Sequence, residues 1–299
     1  MIKKDVNKMP VTHSPLRYPG GKTQLADFVA NLIQINNMKN GTYIEPFAGG
    51  SGVSLQLLFD GIVDHIVIND YDKSIYSIWN AIINHTDQFI ELIEETPITI
   101  EEWHNQKRIY TENRTYMNSL EGGFATFFLN RTNVSGIISA GPIGGQVQTS
   151  KYKIDCRFNK ASLIKKIRAI AERKDSITLF RKDANQLVDI INDRYSPDNT
   201  FIFFDPPYFL QGQNLYLSFI SPKKHIQMKN SIERLNNFYW ILTYDTAPQI
   251  AEIYSNVAQK YKYNLTYSAN KKIKATEFLF ASERTKLDSF EKVILEKMD

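Results

Sequence analysis

The 299-residue chain has one cysteine, Cys156, and five histidines. No internal disulfide is open to it, and Cys and His do not cluster at metal-ligand spacing, so no structural or catalytic metal is expected. Long apolar runs are also missing. No segment approaches the ~18 apolar residues needed to span a bilayer, and the opening MIKKDVNKMPVTHS is polar rather than signal-like. These absences predict a soluble, cytoplasmic protein without a membrane partner. The chain further lacks a strong excess of either charge: the formal net charge is +4, too little for bulk attraction to a polyanion. It has no internal repeat and no low-complexity tract.

What is present suffices for a core, since 42% of residues are hydrophobic at a length that supports a full domain and a smaller lobe. Charge is unevenly spread. Between Trp103 and Lys174 there are thirteen Lys and Arg against four Asp and Glu, leaving the rest of the chain mildly acidic. From Thr42 the pattern runs strand (TYIEPF), glycine turn (AGGSG), helix with Leu55, Leu58 and Phe59 at helical spacing, and strand (HIVIND). After a helix from Asp72 to Asn84 the strand signals fade. They resume with SITLF at Ser176, FIFF at Phe201, YWILTY at Tyr239, YKYNLTYS at Tyr261 and EFLFAS at Glu277, with helical stretches from Pro222 to Leu235 and near Pro248. Such alternation predicts an α/β fold with a mainly parallel sheet covered on both faces. The interval from about 84 to 160 breaks the rhythm. It is helical at first, then holds six of the fourteen glycines, and reads as an insertion ending in long loops.

Two motifs carry chemistry. In Glu45, Pro46, Phe47, Ala48, Gly49, Gly50, Ser51 and Gly52 a buried strand feeds a glycine turn that opens a helix, the position at which open α/β sheets bind ligands. A dinucleotide fingerprint would need Gly or Ala at 55, where Leu55 stands. Asp70 ends the next strand, about where an acid bonds the hydroxyls of an adenosine ribose. Together they suggest an adenosine-containing ligand without a pyrophosphate. The second motif is Asp205, Pro206, Pro207 and Tyr208, directly after the apolar strand. Two prolines fix φ, so carboxylate and carbonyl are held in one geometry. An adenine amine is a weak nucleophile because its lone pair is delocalised, and a catalyst must accept hydrogen bonds from it. Asp205 and the Pro206 carbonyl are the candidate acceptors, and Tyr208 offers a face for an extruded base. Cytosine C5 chemistry needs a thiolate, usually in a Pro-Cys pair, whereas Cys156 follows Asp155.

These segments, with RYPGGK from Arg17 to Lys22 and the acid at Asp70, stand in one order: RYPGGK, EPFAGGSG, IND, DPPY. In that order the chain resembles DNA adenine methylases of the Dam type (D12 class), over about two thirds of its length. The resemblance implies a Rossmann-like methyltransferase sheet (residues 1–83 and 161–299) with an inserted, largely helical target-recognition region (84–160). It implies N6 methylation of a flipped adenine in double-stranded DNA, with S-adenosylmethionine as the sole cofactor, and a monomer working beside a cognate restriction endonuclease. Asp205, Pro206, Pro207 and Tyr208 would be catalytic. Tyr18, Lys22, Glu45, Pro46, Phe47, Gly49, Gly50, Gly52, Asp70, Asp183 and Asp205 would surround the cofactor, Tyr18 standing where the family has tryptophan. That the base is adenine rather than cytosine N4 also rests on the resemblance, through Asp205.

In the insertion, Arg108, Arg114, Arg131, Lys151, Lys153 and Arg157 are interleaved with aromatics, a mix suited to phosphates and base edges. Asn130, Arg131 and Asn133 are the candidates for reading sequence, while Phe127, Phe128 and Leu129 are expected in the core. Lys151 to Arg157 alternates like an edge strand. Rival readings are an RNA or other amino-group methyltransferase, and a non-catalytic DNA-binding module.

Overall fold

The computed structural model describes residues 12–18, 20–113, 119–210, 221–268 and 272–298. Pro19 and Arg114 lie outside the described residues. Strands β1 (Thr42–Glu45), β2 (His65–Asn69), β3 (Ile177–Phe180), β4 (Thr200–Phe204) and β5 (Tyr239–Asp245) run parallel. The long antiparallel hairpin of β6 (Gln259–Ser268) and β7 (Lys272–Ala281) inserts β7 beside β5, and a short β8 (Glu296–Lys297) pairs with β6. Sheet order is β3-β2-β1-β4-β5-β7-β6-β8.

Period-two alternation explains why the sheet is covered on both faces. Tyr43, Ile66, Ile68, Phe201, Phe203 and Ile241 enter one core cluster, and Ile44, Val67, Ile202, Phe204, Trp240 and Leu242 enter the other. Helices α1 (Ala26–Ile35), α2 (Gly52–Phe59) and α3 (Lys73–Asn84) supply the first cluster. The second is closed by α8 (Ala184–Arg194), α9 (Pro222–Glu233) and α10 (Pro248–Ile253), the helices numbered in chain order with those described next.

Between α3 and β3 lie α4 (Thr86–Glu95), α5 (Ile100–Asn113), α6 (Leu120–Thr132) and α7 (Lys160–Ala171). Among the described residues this interval shows no core separate from the two clusters on the sheet. Phe124, Phe127 and Phe128 of α6 pack with Phe89 and Phe158, and all belong to the first cluster. Gly123 lets α6 touch α3, since a Cβ there would lie 2.7 Å from the Ser77 carbonyl oxygen. Helix starts follow capping chemistry: Asp72 accepts from Ser74 and Ile75 N–H, Ser119 from Gly122, and Asn159 from Ser162.

One expectation is corrected. Lys151 to Arg157 is not a strand; Ile154–Arg157 forms a 3₁₀ turn. Ile154 and Phe158, four apart, are both buried, and helical spacing of these two anchors outweighs the alternation of charges around them.

Candidate active site

Strand order reverses between β1 and β4, which places the carboxyl ends of these two strands at the topological switch point, where a crevice opens in a parallel sheet. β1 ends at Glu45 and feeds the glycine turn; β4 ends at Phe204 and feeds Asp205. Both border one cavity of about 820 Å³, lined by Phe47, Gly50, Ser51, Gly52 and Asp70 on one side and by Asp205 and Pro207 on another. Its volume lies in the upper part of the ~300–1,000 Å³ range of ligand sites.

The carboxylate of Asp205 is held on one oxygen. Its Oδ1 accepts from Thr243 Oγ1 of β5 at 2.7 Å and lies 3.3 Å from Lys22 Nζ. Among the described residues nothing bonds Oδ2, so that oxygen is left to accept from a ligand. Burial pushes the Asp205 carboxyl above its usual range, the Lys22 ammonium opposes the shift, and Glu277 adds to it. Lys22 is itself buried, 3.6 Å from Glu277 Oε1, and its Nζ also lies over the Tyr208 ring, 4.6 Å from the centroid.

The glycine turn is built differently from the simplest expectation. Gly49 has φ +46°, and a Cβ there would meet the Tyr18 ring at 2.6 Å; at Gly50 it would meet Tyr18 Cβ at 2.8 Å. At Gly52 it would collide with the Thr23 hydroxyl. The glycines therefore admit Tyr18 and Thr23 onto the turn, and Tyr18 becomes part of the cavity wall. Asp70 ties the turn to β2: Oδ2 accepts from Gly49 N–H at 3.0 Å and Oδ1 from Asp72 N–H at 2.9 Å. Each oxygen keeps a lone pair for a ligand hydroxyl. Burial raises the Asp70 carboxyl to about 7, with the Asp72 charge adding to it. Glu45, buried at the end of β1 with Ser54 and Tyr43 donating to it, is pushed to about 8 by burial.

Not every proposed residue meets the cavity. Tyr18, Lys22, Glu45, Phe47, Gly50, Gly52, Asp70, Asp183, Asp205 and Pro207 line it. Pro46, Gly49 and Pro206 do not line it; the Gly49 carbonyl accepts from Trp79 and the Pro46 carbonyl from Asn69, and Pro206 is buried. Asp183 also caps α8 through Asn185 N–H. The stacking face expected of Tyr208 is covered, because the ring is buried beneath Lys22 and beside Tyr244.

The sequence-reading candidates need a larger correction. Asn130 is 1% exposed, its Oδ1 accepting from Arg17 N–H while Nδ2 donates to the carbonyls of Arg17 and Gly136. Asn133 is 0% exposed, accepting from Trp103 Nε1 and donating to the carbonyls of Ile137 and Ile138. Both amides are occupied by the fold and cannot read a base edge as they stand. Asn130 and Arg131 both line the cavity, and Arg131 donates to the carbonyls of Pro15 and Arg157. Burial lowers it to about 10, with Arg17 and Arg157 adding to the shift. Lys151, Lys153 and Arg157 are exposed, and Arg108 is exposed but paired with Glu112 on its own helix.

Sequence reasoning missed Thr243, Glu277 and Ser51. Glu277 was legible only as an acid beside the apolar run FLFA of an inward strand. Ser51 Oγ is buried on the cavity wall with no hydrogen-bond partner among the described residues. That orphan hydroxyl and the carboxylates Asp70 and Asp183 fit a ligand that carries hydroxyl and amine donors.

The family model described as D12 class N6 adenine-specific DNA methyltransferase matches residues 18–268. Among curated relatives, the Type II methyltransferase M.MjaIII of Methanocaldococcus jannaschii is 25% identical over 238 residues, 75% of this chain and 78% of its own. The Type II methyltransferase M1.LlaDCHI of Lactococcus lactis subsp. cremoris is 22% identical over 276 residues, 85% and 87% of the two chains. A solved rRNA methyltransferase of Streptomyces viridochromogenes aligns with 94% of this chain and 89% of its own at 10% identity and a TM-score of 0.39, a likeness too slight to bear on function.

Proposed function

Because the chain belongs to the D12 class N6 adenine-specific DNA methyltransferases, we propose that its switch-point cavity takes S-adenosylmethionine and an adenine flipped out of duplex DNA, and joins them at Asp205. The observation that carries this is the sharing of one cavity by the glycine turn and Asp205, with Oδ2 of that carboxylate uncommitted among the described residues. Bound S-adenosylmethionine supplies an electrophilic methyl group and leaves as a neutral thioether.

The protein's own part is positioning and charge. Asp205 Oδ2 and the Pro206 carbonyl accept from the two N–H groups of the adenine amine, drawing its lone pair out of the ring so that N6 can form the new N–C bond. N6 then sheds one proton, through Asp205 to solvent. Asp70 receives the donor's ribose hydroxyls, Asp183 its adenine amine, and Ser51 Oγ and Tyr18 complete the wall. Glu45, held mainly protonated at neutral pH, limits the negative charge behind the turn.

Residues 84–160 are the proposed target-recognition region, with exposed Lys151, Lys153 and Arg157 meeting phosphates. We take the working unit on DNA to be a cytoplasmic monomer paired with a cognate endonuclease, a pairing that the Type II names of the relatives support. The test is a transfer assay with methyl-labelled S-adenosylmethionine on duplex DNA and on RNA, followed by nucleoside analysis. N6-methyladenine from duplex DNA is the expected product; label in RNA alone would overturn the reading.

A further inference from the structure

The buried ammonium beside the catalytic carboxylate has a second anchor. Glu277 sits in β7, in register with Asp245 of β5 and Tyr263 of β6. Its Oε1 lies 3.6 Å from Lys22 Nζ, and its Oε2 accepts from the Tyr263 hydroxyl at 2.6 Å. Glu277 is 1% exposed and Lys22 6%. An acid buried beside the apolar run Phe278 to Ala281 costs stability unless it does something the fold needs.

Resting on the reading of Asp205 as the acceptor for the adenine amine, we propose that Glu277 is a positioning residue for methyl transfer: held by Tyr263, it keeps the Lys22 ammonium against Asp205 Oδ1 and leaves Oδ2 aimed at the substrate. Lys22 is a long side chain with four rotatable bonds; its Nζ donates to the Gly20 carbonyl at 3.3 Å and lies over the Tyr208 ring, and Glu277 adds a second carboxylate to that of Asp205. The arrangement also sets charge. With both carboxylates ionised, one ammonium between them leaves a net −1 beside the cavity, which an incoming sulfonium would offset.

The groups facing Asp205 are Lys22 from the segment before α1, Tyr43 and Glu45 from β1, Tyr244 from β5 and Glu277 from β7. Their separate effects make the test directional. As a bare charge, Glu277 raises the Asp205 pKa, so neutralising it would lower that pKa. As an anchor, it keeps Lys22 in place, and losing it frees the ammonium that holds the Asp205 pKa down, so the pKa rises.

The experiment is Glu277→Gln, which keeps an acceptor for Tyr263 and removes the charge. In the free protein, Asp205 is followed through its ¹³C-carboxyl signal, assigned by its loss in Asp205→Asn. The expected result is a higher midpoint than in the unaltered protein; a lower or unmoved midpoint overturns the proposal. In steady state, kcat should fall at least about tenfold with KM for donor and DNA within about twofold. Glu277→Asp should recover part of the loss, and the Lys22→Gln, Glu277→Gln double variant should be no slower than Lys22→Gln alone. Unchanged kcat or multiplying losses overturn it. Tyr263→Phe provides a second route should Glu277→Gln fold poorly: a smaller shift in the same direction supports the anchor, and none opposes it. The titration needs neither donor nor DNA, so a chain that methylated no adenine would sink the functional reading while leaving the Glu277–Lys22–Asp205 linkage to be judged separately.

Discussion

Asp205 and Asp70 are both acids at strand ends, yet their surroundings assign them different work. Asp205 Oδ1 is tied to Thr243 and Lys22, which leaves its other oxygen for chemistry, whereas Asp70 spends one lone pair on each side to pin Gly49 and Asp72. Asp205→Ala should therefore lower kcat by on the order of 10²–10⁴-fold while binding of S-adenosylhomocysteine, read by calorimetry, stays within about threefold. Asp70→Ala should do the reverse, weakening cofactor binding about tenfold or more, with a smaller loss of kcat. Equal binding losses in the two variants would contradict the division. The raised carboxyls also predict a pH dependence of stability. The folded protein keeps protons on Glu45 and Asp70 to about 8 and about 7, against ordinary values of 4.5 and 3.8. Their contribution is full below about pH 4 and is lost as pH rises through 7 and 8. Glu45→Gln should gain thermal stability relative to the unaltered protein on going from about pH 5 to about pH 9, and parallel Tm curves would refute the assignment.

At the scale of elements, the start of the chain and the end of α6 are sewn together by amides. Asn130 bonds both backbone groups of Arg17 and the carbonyl of Gly136, and Arg17 Nη1 donates to the Asn133 carbonyl at 2.8 Å. These bonds carry Tyr18 and Lys22 to the cavity. Asn130→Ala leaves three backbone groups without this partner, one buried and two part-buried, a loss of about 1–3 kcal/mol each at most. The expected outcome is a fall in Tm of several degrees with the methylated sequence unchanged; a changed sequence at an unchanged Tm would restore Asn130 as a reader of bases. Asp245 does similar sewing beyond β4, accepting from Phe209 and Leu210 N–H at 3.2 and 2.7 Å and so fixing the chain just past Tyr208.

Over the whole molecule, charge is separated along the sequence but mixed in the cavity, where Arg17, Lys22, Arg131, Lys166 and Lys224 stand with Glu45, Asp70, Asp72, Asp183 and Asp205. Lys151 and Lys153 of the basic interval are both exposed. Changing both to Gln should weaken DNA binding and flatten the plot of log K against log salt by about 2 units of slope. A slope equal to that of the unaltered protein would remove these two lysines from the interface. The order of motifs, the period-two strands and the prolines of DPPY are local properties, and the sequence by itself therefore determined the α/β class, the glycine turn after β1 and the acid after β4. Local patterns do not register which distant groups meet. Glu277 lies 72 positions after Asp205 and Lys22 lies 183 before it, and only the reversal of strand order and the β6–β7 hairpin bring the three within a few ångströms. For the same reason Asn130 and Asn133 looked like readers of DNA: their amides suit a base edge as well as a backbone, and tertiary packing alone decided which of the two they face.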